Sequence, residues 1–185
     1  MDQPTDRDGA LTLTGADRGP YALGEPMWLW DEQEPVGTVY DIAHVAETRQ
    51  LRLGGFRYAD SSAARRSSVR RLLLFEVVSH VVRTMPQIDS IYITLNHRLG
   101  DHQSGPEVAN ARSRLLRAMR AEEIRVIPGG GVGGDMAVEA IWRRAPAHLS
   151  ALSAGLAAAR RENIDPGRTS AWTRLRHGLQ RFLSP

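Results

Sequence analysis

The chain has 185 residues, of which 42% are hydrophobic and 24% charged, enough apolar material for one folded domain of ordinary size. It contains no cysteine and no lysine, because all 24 basic residues are arginines. Disulfides, thiolate nucleophiles, thiolate metal sites and lysine Schiff bases are therefore excluded.

Charge is distributed unevenly along the sequence. Residues 1–48 carry ten acidic side chains and two arginines, a net charge of −8. Residues 49–185 carry eleven acidic side chains and 22 arginines, a net charge of +11. This asymmetry predicts an acidic partner for the basic body, or an internal pairing between the two parts.

Nothing in the sequence predicts export or a membrane span. The first residues, MDQPTDRDG, lack the basic region and the apolar run of a secretory signal. The longest apolar run, residues 69–82, contains charged and polar residues and is too short to cross a bilayer. We expect a soluble, cytoplasmic protein.

The N-terminal third is predicted to be mostly β-structure. Residues 1–20 are polar, acidic and glycine-rich, and we expect them to be mobile. Residues 27–30 and 36–42 flank the turn-like sequence DEQEP and predict a hairpin. Residues 48–58 alternate apolar side chains with arginine, and Gly54–Gly55 shifts the phase, which suggests a β-bulge.

A helix is predicted over residues 69–84, with Ser67 or Ser68 as its N-cap. Its β-branched residues favour a strand, but the length of the run and a polar stripe at helical spacing favour a helix. The stripe comprises four residues that share one face, namely Glu76, Ser79, His80 and Arg83.

Strands and helices alternate in the rest of the sequence. We predict strands at 90–95, 123–127 and 136–142, and a helix that begins at Pro106. An alanine-rich helix follows at 147–163, and a short basic amphipathic helix at 172–183.

This order of elements predicts an α/β protein of the α+β sandwich type, with a mixed central sheet flanked by helices. We divide the chain into three parts. They are a mobile segment at 1–20, an α/β domain at 21–146 and C-terminal helices at 147–185.

The loop between residues 59 and 71 combines serines with arginines ahead of the predicted helix. A helix N-terminus with arginines beside it can bind a phosphate. However, no glycine lies between Asp60 and Val69, so the backbone cannot wrap a phosphate as a nucleotide loop does. A plain capped helix, an anion site and a phosphorylation site at RRSS all remain open.

Other motifs give weaker signals. The sequence PGGGVGGDM at 128–136 lacks the following helix that a phosphate-binding loop needs, so we interpret it as a flexible connection. His97 and His102 lack a recognised third ligand, and we expect no metal site.

Composition bears on two classes of macromolecular partner, nucleic acids and membranes. Few aromatic residues are interleaved with the arginines, so we do not expect nucleic-acid binding. The apolar side of the segment at 172–183 allows contact with a membrane surface, although packing on the domain's own core is the commoner outcome.

Residues 48–142 resemble the C-terminal half of the GNAT acyltransferase superfamily, and in particular the acyl-homoserine-lactone (autoinducer) synthases of bacterial quorum sensing and related N-acyl amino acid synthases. Those proteins show a strand with a Glu, Ser/Thr, Arg motif, an apolar helix, a tyrosine-containing strand, a Leu- and Arg-rich helix and two closing strands. The matching sequences here are ETRQLRL, LLLFEVVSHVVR, IYITLNHR, RLLRAMRAEEIRVI and AVEAIW.

This resemblance implies an N-acyltransferase that transfers an acyl group from acyl-carrier protein or coenzyme A to a small amine, without a tightly bound cofactor. It implies Glu47 as the catalytic base and Arg49 as a positioning residue. The residues implied to hold the donor's phosphate arm are Arg65, Arg66, Ser67, Ser68, Arg70 and Arg71. Those implied to line the substrate pocket are Trp30, Phe56, Tyr92, Asn96 and His97.

The sequence departs from the family pattern in three places. Glu47 and Arg49 are one residue closer than the motif requires, residues 99–107 form an insertion, and SSAARRSS replaces the glycine-containing pyrophosphate loop. An acidic carrier protein as donor fits the basic body, because opposite charge steers association. The alternative is a GNAT-like module that has lost catalysis and binds an acidic partner.

Overall fold

The structure, a computed structural model, describes residues 9–96, 105–131 and 135–164. Within these residues seven strands form one mixed sheet, and four α-helices accompany it. In chain order the strands are β1 (Thr12–Thr14), β2 (Met27–Asp31), β3 (Glu34–Val45), β4 (Gln50–Tyr58), β5 (Ser90–Leu95), β6 (Glu122–Ile127) and β7 (Ala137–Arg143). The helices are α1 (Ser62–Arg65), α2 (Ser67–Thr84), α3 (Gly105–Ala118) and α4 (Pro146–Ile164).

The strands lie in the order β1-β2-β3-β4-β5-β7-β6. All neighbours are antiparallel except β4 and β5, which are parallel. A parallel pair needs a long crossover connection, and here α1 and α2 supply it. The protein is therefore of the α+β class, with one parallel junction inside a largely antiparallel sheet.

The described helices pack on one face of the sheet. A β-carbon at Gly37 of β3 would meet Leu73 of α2 at 3.0 Å, which places α2 on that face. Trp142 of β7 donates its indole N–H to the carbonyl oxygen of Met119, just after α3, at 3.1 Å and contacts His148 of α4 edge-on. The opposite face, which we call the helix-free face, carries no described helix.

Most of the predicted elements are confirmed, including the hairpin of β2 and β3, the helix over 69–84 and the strand at 90–95. The sheet starts earlier than predicted, because residues 12–14 form β1 and Leu11 is buried, whereas we expected residues 1–20 to be mobile. The amphipathic segment at 172–183 lies outside the described residues. No helix in the described ranges is long and apolar enough to cross a membrane.

The predicted N-cap is wrong. Ser61 caps α1 by accepting a hydrogen bond from the backbone N–H of Ala64 at 3.1 Å, and α2 then begins after Arg66.

The phase shift predicted at Gly54–Gly55 is present in β4. The buried positions are Leu51 and Leu53 before the two glycines and Phe56 after them, so the alternation changes phase there. No inserted residue accompanies it, because the β3–β4 register is constant.

Glu76 does not belong to a solvated stripe. Its side chain is 1% exposed on α2 and accepts two hydrogen bonds from Arg160 of α4, at 2.7 and 2.9 Å. The backbone N–H of Leu11 also points to this carboxylate, at 3.4 Å. One buried ion pair thus connects both α4 and the chain before β1 to α2.

Replacing Arg160 with alanine should lower the free energy of unfolding by about 3–5 kcal/mol, because the Glu76 carboxylate would remain buried without its partner. Urea denaturation of the purified protein measures this. The matched control is Arg71→Ala, which removes the exposed Arg71–Glu162 pair and should cost less than about 1 kcal/mol. Equal losses in the two variants would contradict the assignment.

Candidate functional site

The only parallel junction of the described sheet opens toward its carboxyl end. β4 and β5 pair from Gln50–Ser90 to Leu53–Ile93. After that point β4 continues beside β3 alone, and β5 beside β7 alone. We call the gap between residues 54–58 and residues 94–96 the β4–β5 opening. Ligands commonly bind at the carboxyl ends of parallel strands, where side chains and backbone groups converge.

Asn96 bridges this opening. Its Nδ2 donates to the carbonyl oxygen of Gly54 at 3.1 Å, and its Oδ1 accepts from the Tyr40 hydroxyl at 3.4 Å. If β4 and β5 stayed paired, a backbone N–H of β5 would donate to a β4 carbonyl here, and the side-chain amide of Asn96 takes the place of that donor. The opening is held by one residue that follows β5, rather than by strand pairing.

Tyr40 lies flat across β4 at Gly55. A β-carbon at Gly55 would overlap the phenol ring, so this position requires glycine. The guanidinium of Arg57 lies 5.5 Å from the centre of the same ring. Gly55 therefore allows an aromatic side chain of β3 to reach the β4–β5 opening and contact Asn96.

The helix side of the β4–β5 opening gathers one tyrosine and two arginines. Arg112 of α3 donates to the carbonyl oxygens of Leu95 at 3.0 Å and Met136 at 2.9 Å. Arg70 lies 5.2 Å from the ring centre of Tyr58. Burial raises the pKa of Tyr58, and the charges of Arg70 and Arg112 oppose that shift.

Sequence reasoning missed Tyr58 and Arg112 as members of the site. The signal for Tyr58 was its spacing of two from Phe56, which puts both on the same side of β4. Arg112 is separated from β4 by more than fifty residues, so no local pattern could reveal it.

The backbone of β4 also directs a hydrogen-bond donor into the β4–β5 opening. Successive residues of a strand direct their N–H groups to opposite neighbours. The N–H of Ala59 bonds to Val36 of β3 at 2.9 Å, so the N–H of Phe56, three residues earlier, is directed away from β3. It faces the β4–β5 opening, while the Phe56 ring is buried at 3% exposure.

The predicted catalytic pair lies at the other end of β4. Glu47 is exposed in the 3-10 turn Ala46–Thr48, and Arg49 adopts a left-handed conformation just before β4. Arg49 donates to the carbonyl oxygen of Gln87 at 2.8 Å and pairs with Asp89 at 3.1 Å. At roughly 3.3 Å per residue, β4 separates this turn from the β4–β5 opening by about 25 Å. The structure does not bring the two groups together.

The four arginines predicted to hold a phosphate lie close together beyond the end of β4, and each has a partner within the protein. Arg65 pairs with Asp60 at 2.7 Å, and Arg66 pairs with the buried Asp31 of β2. Arg71 contacts both carboxylate oxygens of Glu162, at 2.9 and 2.8 Å, and Arg70 donates to the carbonyl oxygen of Ala64 at 2.9 Å. Ser67 and Ser68 lie in the first turn of α2, and the side chain of Ser67 lies outside the described part.

The residues predicted to line a substrate pocket are dispersed. Phe56 and Asn96 border the β4–β5 opening, and Tyr92 lies on the helix-free face of β5. Trp30 lies on β2, where its indole N–H donates to Thr14 at 3.0 Å. His97 lies outside the described residues. Of the five residues predicted to line one pocket, two therefore border the β4–β5 opening.

A small cavity of about 50 Å³ lies on the helix-free face of β5–β7, lined by Tyr92, Glu123, Arg125, Glu139 and Ile141. This volume suits one or two water molecules rather than a substrate. Within the described ranges, no group of three or more histidine, aspartate or glutamate side chains is placed to hold a metal ion. The β4–β5 opening is therefore the better candidate site.

No protein-family model matches this chain, and no curated protein matches its sequence.

Tyr92 should titrate well above an ordinary tyrosine. Its pKa is raised from 10.0 to about 12, mainly by burial and then by the hydrogen bond that it donates to Glu139 and by the negative charge of Glu139. Because the folded protein holds this proton more tightly than the unfolded chain, the stabilisation is present below pH 10 and is lost as the pH rises toward 12. Glu139→Gln should lower the pKa of Tyr92, as measured by tyrosinate absorbance. An unchanged titration would contradict the role of Glu139.

Proposed function

We propose that this chain is an acyltransferase-like protein that N-acylates a small amine with a thioester donor from acyl-carrier protein or coenzyme A. The observation that carries the proposal is the β4–β5 opening, where a parallel pair separates beside a tyrosine, two arginines and an inward-facing backbone amide. A cytoplasmic location, where carrier proteins and coenzyme A occur, fits this activity.

The order of elements supports the resemblance to the GNAT superfamily and its autoinducer-synthase branch. β4 leads through α1 and α2 to β5, which contains Tyr92, and then through α3 to β6 and β7. α3 carries Leu115 and Leu116 together with three arginines, at 112, 114 and 117, and Arg120 follows the helix. This is the succession of strand, apolar helix, strand, Leu- and Arg-rich helix and two strands that the resemblance implies.

The reaction requires an amine to attack the thioester carbonyl, so that a C–N bond forms and the C–S bond breaks. The carbonyl oxygen becomes negative on the way and needs a preorganised donor. The N–H of Phe56 is our proposed donor, because it faces the β4–β5 opening. The departing thiolate needs a proton, and the raised pKa of Tyr58 keeps its hydroxyl protonated at neutral pH, as a general acid requires.

The amine must also lose a proton, and the resemblance assigns that step to Glu47. A base acts within hydrogen-bond reach of its substrate, directly or through one water molecule. Glu47 lies about 25 Å from the β4–β5 opening, as estimated from the length of β4. Its role therefore stays a prediction. At the β4–β5 opening the protons balance without Glu47, because Tyr58 gives its proton to the departing thiolate and then takes one from the newly acylated nitrogen. Mutation of Glu47 and of Tyr58 distinguishes the two schemes.

The second candidate is a catalytically inactive module that binds an acidic partner. The observations that favour it are the internal partners of Arg65, Arg66 and Arg71 and the bridging of the β4–β5 opening by Asn96. An active enzyme must release Asn96 from Gly54 and recruit arginines that are already paired. A module needs neither change.

Donor binding is the first test. The proposal predicts that acyl-carrier protein or acyl-coenzyme A binds to the purified protein in calorimetry at low salt, and that Asn96→Ala binds at least as tightly because the Gly54 carbonyl becomes available. Absence of binding to both donors, in the wild type and in Asn96→Ala, would remove the acyltransferase proposal. Binding of the unacylated carrier protein alone, with no amide product, would favour the module.

Substitutions at Tyr58 and Glu47 then show at which end of β4 the reaction takes place. If the β4–β5 opening holds the reaction, Tyr58→Phe should lower kcat by about 10²-fold or more while KM changes little, since general acid–base catalysis contributes about 10²–10⁴-fold. Glu47→Gln should then be near wild type. The reverse pattern would move the reaction to the amino end of β4 and contradict our use of Tyr58.

A further inference from the structure

The helix-free face of the sheet presents aromatic and arginine side chains in rows across adjacent strands. Trp28 of β2 lies opposite Thr38 of β3, and Thr38 lies opposite Arg57 of β4. Because Leu73 of α2 covers the face to which Gly37 points, the neighbouring Thr38 points to the other face. Trp28 is 39% exposed there, which is unusual for so large an apolar side chain.

The same face continues onto β5. Arg52 lies opposite Tyr92, and both are flanked by residues with fully buried side chains, such as Leu53 and Ile93, which point to the helices. Arg52 and Arg57 share a face despite their odd spacing because the burial pattern shifts phase at Gly54, opposite the left-handed Asp41.

The arginines and aromatic rings of this face are in direct contact. The guanidinium of Arg57 lies 5.5 Å from the ring centre of Tyr40, and that of Arg52 lies 5.8 Å from Tyr92. At the edge of the sheet, Arg18 lies 4.1 Å from Trp30, which in turn stacks with Trp28. The sequence separates the partners of these arginine–aromatic contacts by 12 to 40 positions, so no local pattern predicts them.

We propose that the helix-free face binds single-stranded nucleic acid. Exposed aromatic rings on an open sheet offer surfaces on which unpaired bases stack, and neighbouring arginines bind the phosphates between those bases. From β2 to β5 the face spans three strand spacings, or about 14 Å, which matches the two or three bases that a sheet platform holds. Bases in a duplex are already stacked on each other and cannot use the rings.

The charge of the helix-free face favours single-stranded nucleic acid over a second copy of this chain as its partner. A symmetric pairing of two such faces would bring Arg52 and Arg57 against the arginines of the other copy, whereas a polyanion neutralises them. The exposed Asp41 of β3 lies opposite Gly54, between these two arginines along the strands. Further acidic side chains lie toward β6, where Glu139 bonds to Tyr92 and Glu123 approaches Arg125 at 3.7 Å. The bound strand should therefore run between Trp28 and Tyr92 and end before β6.

The test uses the full-length protein and a fluorescent oligothymidylate of about 12 nucleotides, followed by fluorescence anisotropy. With Arg18, Arg52 and Arg57 on phosphates, affinity should fall by about 20-fold between about 50 and about 200 mM salt. Tyr92→Ala should weaken binding by about tenfold through loss of a stacking surface, while Tyr92→Phe keeps the ring and should bind as the wild type does.

Matched arginine variants separate a defined face from general charge. Arg52→Ala with Arg57→Ala should reduce both the affinity and the salt dependence, whereas Arg114→Ala with Arg117→Ala, on exposed positions of α3, should not. Equal losses in the two double variants would overturn the proposal. So would no binding at low salt, a preference for duplex over single strand, or a dimer in sedimentation that Trp28→Ala dissociates. Acyl-donor binding plays no part in these outcomes, so the proposal stands or fails independently of the acyltransferase activity.

Discussion

The parallel pairing of β4 with β5 governs how the remaining elements of this protein are arranged. Parallel strands cannot be joined by a tight turn, so the chain must cross the sheet between Tyr58 and Ser90, and it does so through α2. That helix is buried almost all round, and its apolar side chains form the centre of the core. Both the position of the helices on one face and the exposure of the other face follow from this crossover.

The helix that makes the crossover is fastened at both ends by arginine. Near its C-terminus, Arg144 donates three hydrogen bonds to the carbonyl oxygens of Val82, Met85 and Ile88, at 3.0, 2.8 and 2.8 Å. A cation at this end of a helix satisfies free carbonyl groups and stabilises the helix dipole. At its start, Arg66 pairs with the buried Asp31 of β2. The acidic front and the basic body of the sequence thus meet inside the molecule, in part through pairs of this kind.

The candidate site and the helix-free face are two consequences of the same junction. β4 and β5 separate after four paired positions, which leaves the β4–β5 opening for Asn96, Tyr40 and the backbone of Phe56. The absence of a described helix on the other face leaves Trp28, Arg57, Arg52 and Tyr92 available to solvent. The two proposed sites therefore lie on one sheet and use different residues, apart from Tyr40, which contacts Asn96 at the opening and Arg57 on the helix-free face.

The order of the elements from β2 onward could be predicted from the sequence, apart from the short helix α1. The lengths of the apolar and alanine-rich runs located α2 and α4, and short β-rich runs located β5 and β7, each within a few residues. The alternation of apolar side chains with arginine also indicated the shift of phase at Gly54–Gly55. The partners of the charged residues, by contrast, could not be predicted from local sequence. Glu76 reads as part of a polar stripe, yet it is buried against Arg160, which lies 84 residues away. The separation of Glu47 from the β4–β5 opening, and the contact of Arg52 with Tyr92, likewise depend on strand direction and register. Those are set by long-range pairing that local spacing does not encode.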